Sequence, residues 1–479
     1  MINRIYFERN INKMKKLAFI LLFVVATLNL KGQNYKPEWA SLDKRPVPQW
    51  FEDSKFGIFI HWGVYSVPSW GPTGDSIGVY DKYAEWYWSK LTQPGKVQKY
   101  FKDFHLRTYG PNFKYQDFAP QFKAELFNPG QWAELFKQSG AKYVVLTSKH
   151  HEGFTLWPSA QSWNWNRVDI GPHRDLCGDL TDAVKKQGLH MGFYYSLYEW
   201  FNPLYKSDLN SYVTNHMIPQ MKDLVTRYTP DILWTDGEWD KSSKDWKSED
   251  FIAWLYNEST VKENIVINDR WGSETRSKHG GIYTTEYGLV GDAEGIENTL
   301  PHPWEECRGI GTSFGYNRTE GLGDYSTAKQ LIKLLVSTVS AGGNLLLDIG
   351  PAPDGTIPVI MQQRLTEMGN WLKVNGEAIY GTRAFIKNKK DVAINPETNS
   401  TIFFTRKDKD IYVICLNWPG DRIVLKNLTT SGSAVATLLG SDKKVPVKIS
   451  GSRLEIITPQ LSPDDYQLAY VFRISGAIK

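Results

Sequence analysis

The chain has 479 residues and a mass of 54.9 kDa, more than one compact core usually organises, so a large domain with a smaller companion is expected. With 41% hydrophobic and 23% charged residues, 39 Gly and 24 Pro, it is neither disordered, collagen-like nor coiled-coil. The net charge of +4 is unevenly placed: residues 1–32 hold Arg4, Arg9, Lys13, Lys15, Lys16 and Lys31 against Glu8 alone, leaving 50 basic and 51 acidic residues in the rest, which removes the case for a nucleic-acid partner.

Lys13-Met14-Lys15-Lys16 precedes the apolar run Leu17 to Ala26, and polar residues resume by Asn29. A basic segment followed by roughly ten to fourteen apolar residues is too short to span a bilayer and reads as a signal peptide over 1–32. Export to the periplasm or the extracellular space is therefore expected. Leu30-Lys31-Gly32 departs from a small-x-small cleavage site, and Met14 offers a second start. No later stretch approaches the roughly 20 apolar residues of a membrane span. Cys177, Cys307 and Cys415 are too few and too widely spaced for a disulfide framework or a zinc motif.

From 33 to 384, short apolar runs alternate with longer amphipathic ones, the signature of βα units. Predicted strands are Phe56 to His61, Tyr143 to Thr147, His190 to Ser196, Asp231 to Asp236, Ile265 to Asn268 and Asn344 to Ile349. Helices are predicted over Gly130 to Ser139 and Asp179 to Gln187, stopped by Gly140 and Gly188. No Gly-x-Gly-x-x-Gly turn follows the first strand, so a (β/α)8-like barrel with insertions is favoured over an open doubly wound sheet. Over 385–479 the texture changes to short strands at roughly ten-residue spacing, from Ser400 to Thr405 through Tyr466 to Val471, which reads as an antiparallel β-sandwich. Tryptophan respects this boundary: of 19, only Trp418 lies beyond residue 385. The sandwich is therefore read as a domain packed on the barrel rather than an independent carbohydrate-binding module.

Barrel active sites are built at the C-terminal ends of the strands. The first strand ends in His61-Trp62-Gly63 and the second in Lys149-His150-His151-Glu152. The third ends in Tyr194-Tyr195-Ser196, the fourth in Trp234-Thr235-Asp236 and the fifth in Asn268-Asp269-Arg270-Trp271. Apolar strands that each finish in His, Tyr, Asp or Arg suggest a polar pocket walled by rings, as a sugar requires. Asp236 interrupts an apolar run where an unused charge would be costly. Two chemistries fit. One is metal-assisted hydrolysis with His61, His150, His151 and Asp236 as ligands, which the adjacency of His150 and His151 disfavours because strand neighbours point to opposite faces. The other is glycoside hydrolysis by two carboxylates, Asp236 with Glu286, Glu305 or Glu306, all in aromatic surroundings that raise a carboxyl pKa towards neutrality.

Trp50-Phe-Glu-Asp-Ser-Lys-Phe-Gly-Ile-Phe-Ile-His-Trp-Gly63, Glu85-Trp-Tyr, Lys149-His-His-Glu-Gly-Phe154, Tyr194-Tyr-Ser, Trp234-Thr-Asp236, Ser313-Phe-Gly-Tyr-Asn317 and Asn344-Leu-Leu-Leu-Asp-Ile-Gly-Pro351 together resemble the α-L-fucosidases of glycoside hydrolase family 29. The resemblance implies a β/α barrel with a C-terminal β-sandwich, no metal or other cofactor, and retaining hydrolysis of terminal α-L-fucosyl residues on an oligosaccharide or glycoconjugate through a covalent fucosyl-enzyme. By motif it makes Asp236 the nucleophile. His61, Glu85, Trp86, His150, His151, Tyr195 and Arg270 hold the sugar, and Phe314 lies against its C5 methyl group. Glu286 sits where bacterial members place the acid/base. Glu305 falls in a segment resembling the family's Lys-Trp-Glu signature, with Pro303 in place of Lys, and stays the alternative. The Tyr283-Thr-Thr-Glu-Tyr287 segment resembles members that act on simple aryl fucosides. The competing readings are a metal-assisted hydrolase on the same barrel, a related exo-glycosidase for another sugar, and a fucose-binding protein without turnover.

Overall fold

The computed structural model describes residues 34–171, 173–287, 302–385, 400–426, 434–462 and 465–477. The predicted leader lies outside the described residues.

Eight strands form one parallel sheet: β1 (Phe56–Ile60), β2 (Tyr143–Lys149), β3 (His190–Ser196), β4 (Ile232–Asp236), β5 (Val266–Ile267), β6 (Tyr283–Glu286), β7 (Trp304–Gly309) and β8 (Asn344–Ile349). Their order, β5-β4-β3-β2-β1-β8-β7-β6, is that of a curled sheet. Its ends meet at a parallel Asn268–Ile282 bridge, where Ile282 N–H donates to the Ile267 carbonyl at 2.8 Å. The result is a (β/α)8-like barrel whose closure is a single bridge rather than a ladder. Between β5 and β6 the described residues include no helix. β6 and β7 are the strands the apolar pattern does not announce, because Glu305, Glu306 and Arg308 interrupt it.

Alternation sorts each strand's side chains between two cores. Phe59, Tyr143, Val145, Tyr194, Ile232, Trp234 and Leu346 fill the barrel interior. Ile58, Ile60, Val144, Leu146, Phe193, Leu233 and Leu347 face outwards onto the helices. Helix Pro129–Gln138 is capped by Asn128, whose side chain accepts from Gln131 N–H, and Gly140 follows it at φ 90°. Helix Leu176–Lys186 is capped likewise by Asp175, with Gly188 at φ 74° beyond its end. In both, a side-chain oxygen satisfies a free N–H and a glycine takes the left-handed stop.

Nine further strands follow among the described residues. β9 (Arg383–Ala384), β10 (Ile402–Lys407), β11 (Asp410–Cys415), β13 (Val435–Leu438), β14 (Lys444–Val445) and β17 (Tyr470–Ser475) make an antiparallel sheet. β12 (Arg422–Leu425), β15 (Val447–Ser450) and β16 (Arg453–Ile457) make a second. Ile411, Val413 and Phe472 pack with Ile423, Leu454 and Ile456 between the two sheets. On the opposite face, Tyr412, Ile414 and Val471 join the barrel's own core. Arg383 and Ala384 already pair with β10, so the chain enters this sheet before residue 385. The last strand starts at Tyr470 rather than Tyr466, because Gln467 is engaged with Asn375 and the Leu439 carbonyl instead of a neighbouring strand.

Candidate active site

The C-terminal ends of the strands surround a cleft of about 370 Å³. β1 delivers His61, the short helix Ala84–Trp86 delivers Glu85 and Trp86, and β2 runs into His150. β3 and β4 bring Tyr194, Trp234 and Asp236, while Arg270, Glu286 and Phe314 come from beyond β5, the end of β6 and the loop after β7.

Asp236 is 8% exposed and binds two donors: Arg270 Nη1 reaches Oδ1 at 2.7 Å and the Tyr194 hydroxyl reaches Oδ2 at 2.9 Å. Burial pushes its pKa up, but the guanidinium of Arg270 beside it outweighs burial and holds it well below the ordinary carboxylate range. It is an anion with fixed geometry. Arg270 Nη2 lies 2.7 Å from Glu286 Oε1, so one guanidinium touches both carboxylates. Burial works against the charge on Arg270, yet Glu286 and Asp236 more than offset it and its pKa rises. Its Nε donates to Thr284 at 2.9 Å and its face lies 4.3 Å over the Trp234 ring, which fixes the fork.

Rings and buried acids surround the cleft. Phe314 stacks on His61 at 5.0 Å, and Trp234 stacks on Tyr194 at 5.8 Å. Trp86 meets His151 edge-on at 4.9 Å. Glu85 accepts from Gly315 N–H at 2.8 Å and from Ser313 at 3.1 Å, with burial raising its pKa. The His61 Nδ1 is 2.6 Å from Asp348, and His150 Nδ1 is 3.5 Å from Glu152. Among the described residues no group of three or more His, Cys, Asp or Glu is arranged to hold a metal ion. His61 and His151 each have one ring nitrogen committed to Asp348 and Ser196 respectively.

Two sequence expectations are corrected. Tyr195 is not a wall of the cleft: it is fully buried outside the barrel interior, donating to Gln220 at 2.8 Å and accepting from Lys149 at 3.2 Å. Tyr194 takes its place because it pairs with Trp234 across β3 and β4, and the pleat that turns Trp234 and Asp236 inwards turns Tyr194 inwards too. Glu305 is likewise absent from the cleft. It is 1% exposed beneath the floor, accepting hydrogen bonds from Tyr143 and, at 3.0 Å, from Trp234 Nε1; burial lifts its pKa to about 7. Sequence reasoning also missed Trp234, legible as the inward neighbour two residues before Asp236, and the rim residues Trp239 and Arg276, for which the sequence carries no periodic signal. Arg276 lies 2.5 Å from Glu238 and 3.7 Å from Asp236.

A parallel barrel holding two carboxylates on a shared guanidinium, in a cleft lined with rings and hydroxyl-binding groups, is the architecture of a glycoside hydrolase. The family model described as alpha-L-fucosidase matches residues 22–377, and the one described as alpha-L-fucosidase C-terminal domain matches 395–475. The chain is 43% identical over 478 residues to an alpha-L-fucosidase of Dictyostelium discoideum, covering 95% of this chain and 98% of that one. It is 46% identical to the plasma alpha-L-fucosidase of Rattus norvegicus, covering 93% and 95%. The structure of the Thermotoga maritima alpha-fucosidase in complex with a mechanism-based inhibitor superposes with a TM-score of 0.77 at 39% identity, covering 92% of this chain and all of that one. The chain belongs to the α-L-fucosidase family.

Proposed function

We propose that this protein is a retaining exo-α-L-fucosidase, exported from the cell, in which Asp236 is the nucleophile and Glu286 the acid/base. The observation that carries the reading is Arg270, which contacts both carboxylates at 2.7 Å. A shared guanidinium favours the separation of about 5 to 5.5 Å used by retaining pairs over the wider gap, about 6.5 to 9.5 Å, that admits an inverting water. Asp236, held ionised and oriented by Arg270 and Tyr194, attacks the anomeric carbon while Glu286 protonates the departing oxygen. Glu286 then takes a proton from the water that releases fucose.

Arg270 engages Glu286, so the acid role requires the carboxyl to turn from that contact towards the glycosidic oxygen when the sugar binds. His61, His150, Glu85 and Trp86 supply hydrogen bonds and a stacking face for the ring. Phe314, stacked on His61, forms an apolar wall suited to a methyl group and unfavourable to a hydroxyl, which would lose its water there. The substrate class is a terminal α-L-fucosyl unit on an oligosaccharide or glycoconjugate, and simple aryl α-L-fucosides should also be cleaved. The basic and apolar pattern of residues 1–32 supports export. Among the described residues no helix is long and apolar enough to cross a membrane.

Purified protein assayed against aryl α-L-fucoside, β-D-galactoside and α-L-rhamnoside tests the reading. Turnover of the fucoside alone is expected, with α-L-fucose as the first anomer seen by proton NMR. First appearance of the β-anomer, or preference for another glycoside, overturns it.

A further inference from the structure

Ser196, the last residue of β3, is fully buried, and its Oγ lies 2.6 Å from the His151 Nδ1. The same Oγ lies 2.6 Å from the Tyr198 carbonyl oxygen. Two oxygens that close need a hydrogen between them, and the carbonyl has none, so the serine hydroxyl donates to Tyr198. Its only hydrogen is then committed. The short contact to His151 is therefore Nδ1–H donating to a serine lone pair. Burial, reinforced by His150, lowers the His151 pKa well below its ordinary value, so the ring is neutral and Nε2 carries a lone pair. Nε2 is buried without a hydrogen-bond partner and lies 3.8 Å from Asp236 Oδ2.

The charge of Asp236 by itself favours the opposite tautomer, which would aim an N–H at Oδ2. That oxygen already accepts from Tyr194, and Oδ1 from Arg270. A third donor would withdraw electron density from the carboxylate that has to attack carbon.

We propose that Ser196 is a positioning residue that fixes the His151 proton on Nδ1, keeping an N–H off the Asp236 carboxylate and leaving an acceptor lone pair beside it. The inference rests on the reading of Asp236 as nucleophile. It also accounts for why a histidine can stand against the carboxylate without quenching it.

The test is a long-range proton–nitrogen NMR correlation on the full chain labelled with 15N-histidine, the His151 signals being identified by their absence in His151→Gln. The wild type is expected to show a protonated Nδ1 and an unprotonated Nε2. A proton on Nε2 in the wild type overturns the proposal, whatever becomes of any variant. In Ser196→Ala the proton should move to Nε2, and kcat on an aryl α-L-fucoside should fall about tenfold with KM within about twofold. An Nδ1–H that persists in Ser196→Ala overturns the proposal, and so does a proton shift that leaves kcat unchanged. The spectrum needs no turnover, so failure here is separable from failure of the fucosidase reading, which would show as a wild type inert towards every α-L-fucoside.

Discussion

Arg270 joins Asp236 to Glu286, and Glu305 carries the floor on which Arg270 rests, through the Trp234 indole. These two glutamates thus have different work, and azide separates them. Glu286→Ala should lose at least about 100-fold in kcat on glycans, with azide restoring turnover of an activated aryl fucoside as fucosyl azide. Glu305→Ala should lose activity without rescue, because what it removes is the hydrogen bond under Trp234. Rescue of Glu305→Ala alone would reverse the assignment. The neighbouring tyrosines separate in the same way. Tyr194→Phe takes a donor from Asp236 and should lower kcat/KM about tenfold; Tyr195→Phe should leave kcat/KM within about twofold while lowering stability by about 1–3 kcal/mol, since Gln220 and Lys149 lose a buried partner. Motif register alone does not distinguish two adjacent tyrosines. The pleat does, because Asp236 fixes which face of β4 is inward and Tyr194 pairs with Trp234.

At the scale of elements, β2 is held where it turns into the cleft. Lys149, its last residue, is fully buried and paired with Glu199 at 2.9 Å, and Glu199 also contacts His216 at 3.0 Å. Burial pushes the Glu199 pKa up, but Lys149 and His216 win and bring it down to about 2. A folded pKa below the unfolded value stabilises the protein only while the unfolded carboxylate is ionised. That contribution should be complete above the ordinary value of 4.5 and fade as pH falls towards 2. Glu199→Gln should therefore lose about 3–5 kcal/mol at pH 7, and the gap from wild type in urea unfolding should narrow below pH 4.5. A gap independent of pH would contradict the ion-pair account. Strands such as β1, β3 and β8 were legible because they are apolar and bounded. β6 and β7 were not, because carboxylates buried by the barrel interior look from sequence like exposed ones, and only parallel neighbours reveal them.

On the scale of the whole molecule, the C-terminal sheets are fastened to the barrel by alternate residues of the strands that form the sandwich. Ile414 and Val471 pack into the barrel's core while Ile411, Val413 and Phe472 face the opposite sheet, and Trp371 Nε1 donates to the Ala469 carbonyl at 2.8 Å. Ile414→Ala should cost about 2–5 kcal/mol and lower one cooperative calorimetric transition, because the side chain is shared by both units. Two separated transitions would show that the units melt independently. The change of texture near residue 385 revealed a second layer but not its packing, since a strand buried on both faces carries no polar side to orient it. The strand ends, by contrast, pointed to where a cleft would lie, because barrel topology gathers those ends in one place. The central claim, that Asp236 attacks the anomeric carbon of an α-L-fucoside, is tested most directly by trapping. After reaction with 2-deoxy-2-fluoro-α-L-fucosyl fluoride and proteolysis, mass spectrometry should find one fluorofucosyl group, esterified to Asp236. A label on Glu286 or Glu305, or an active enzyme that accumulates no label, would contradict the account.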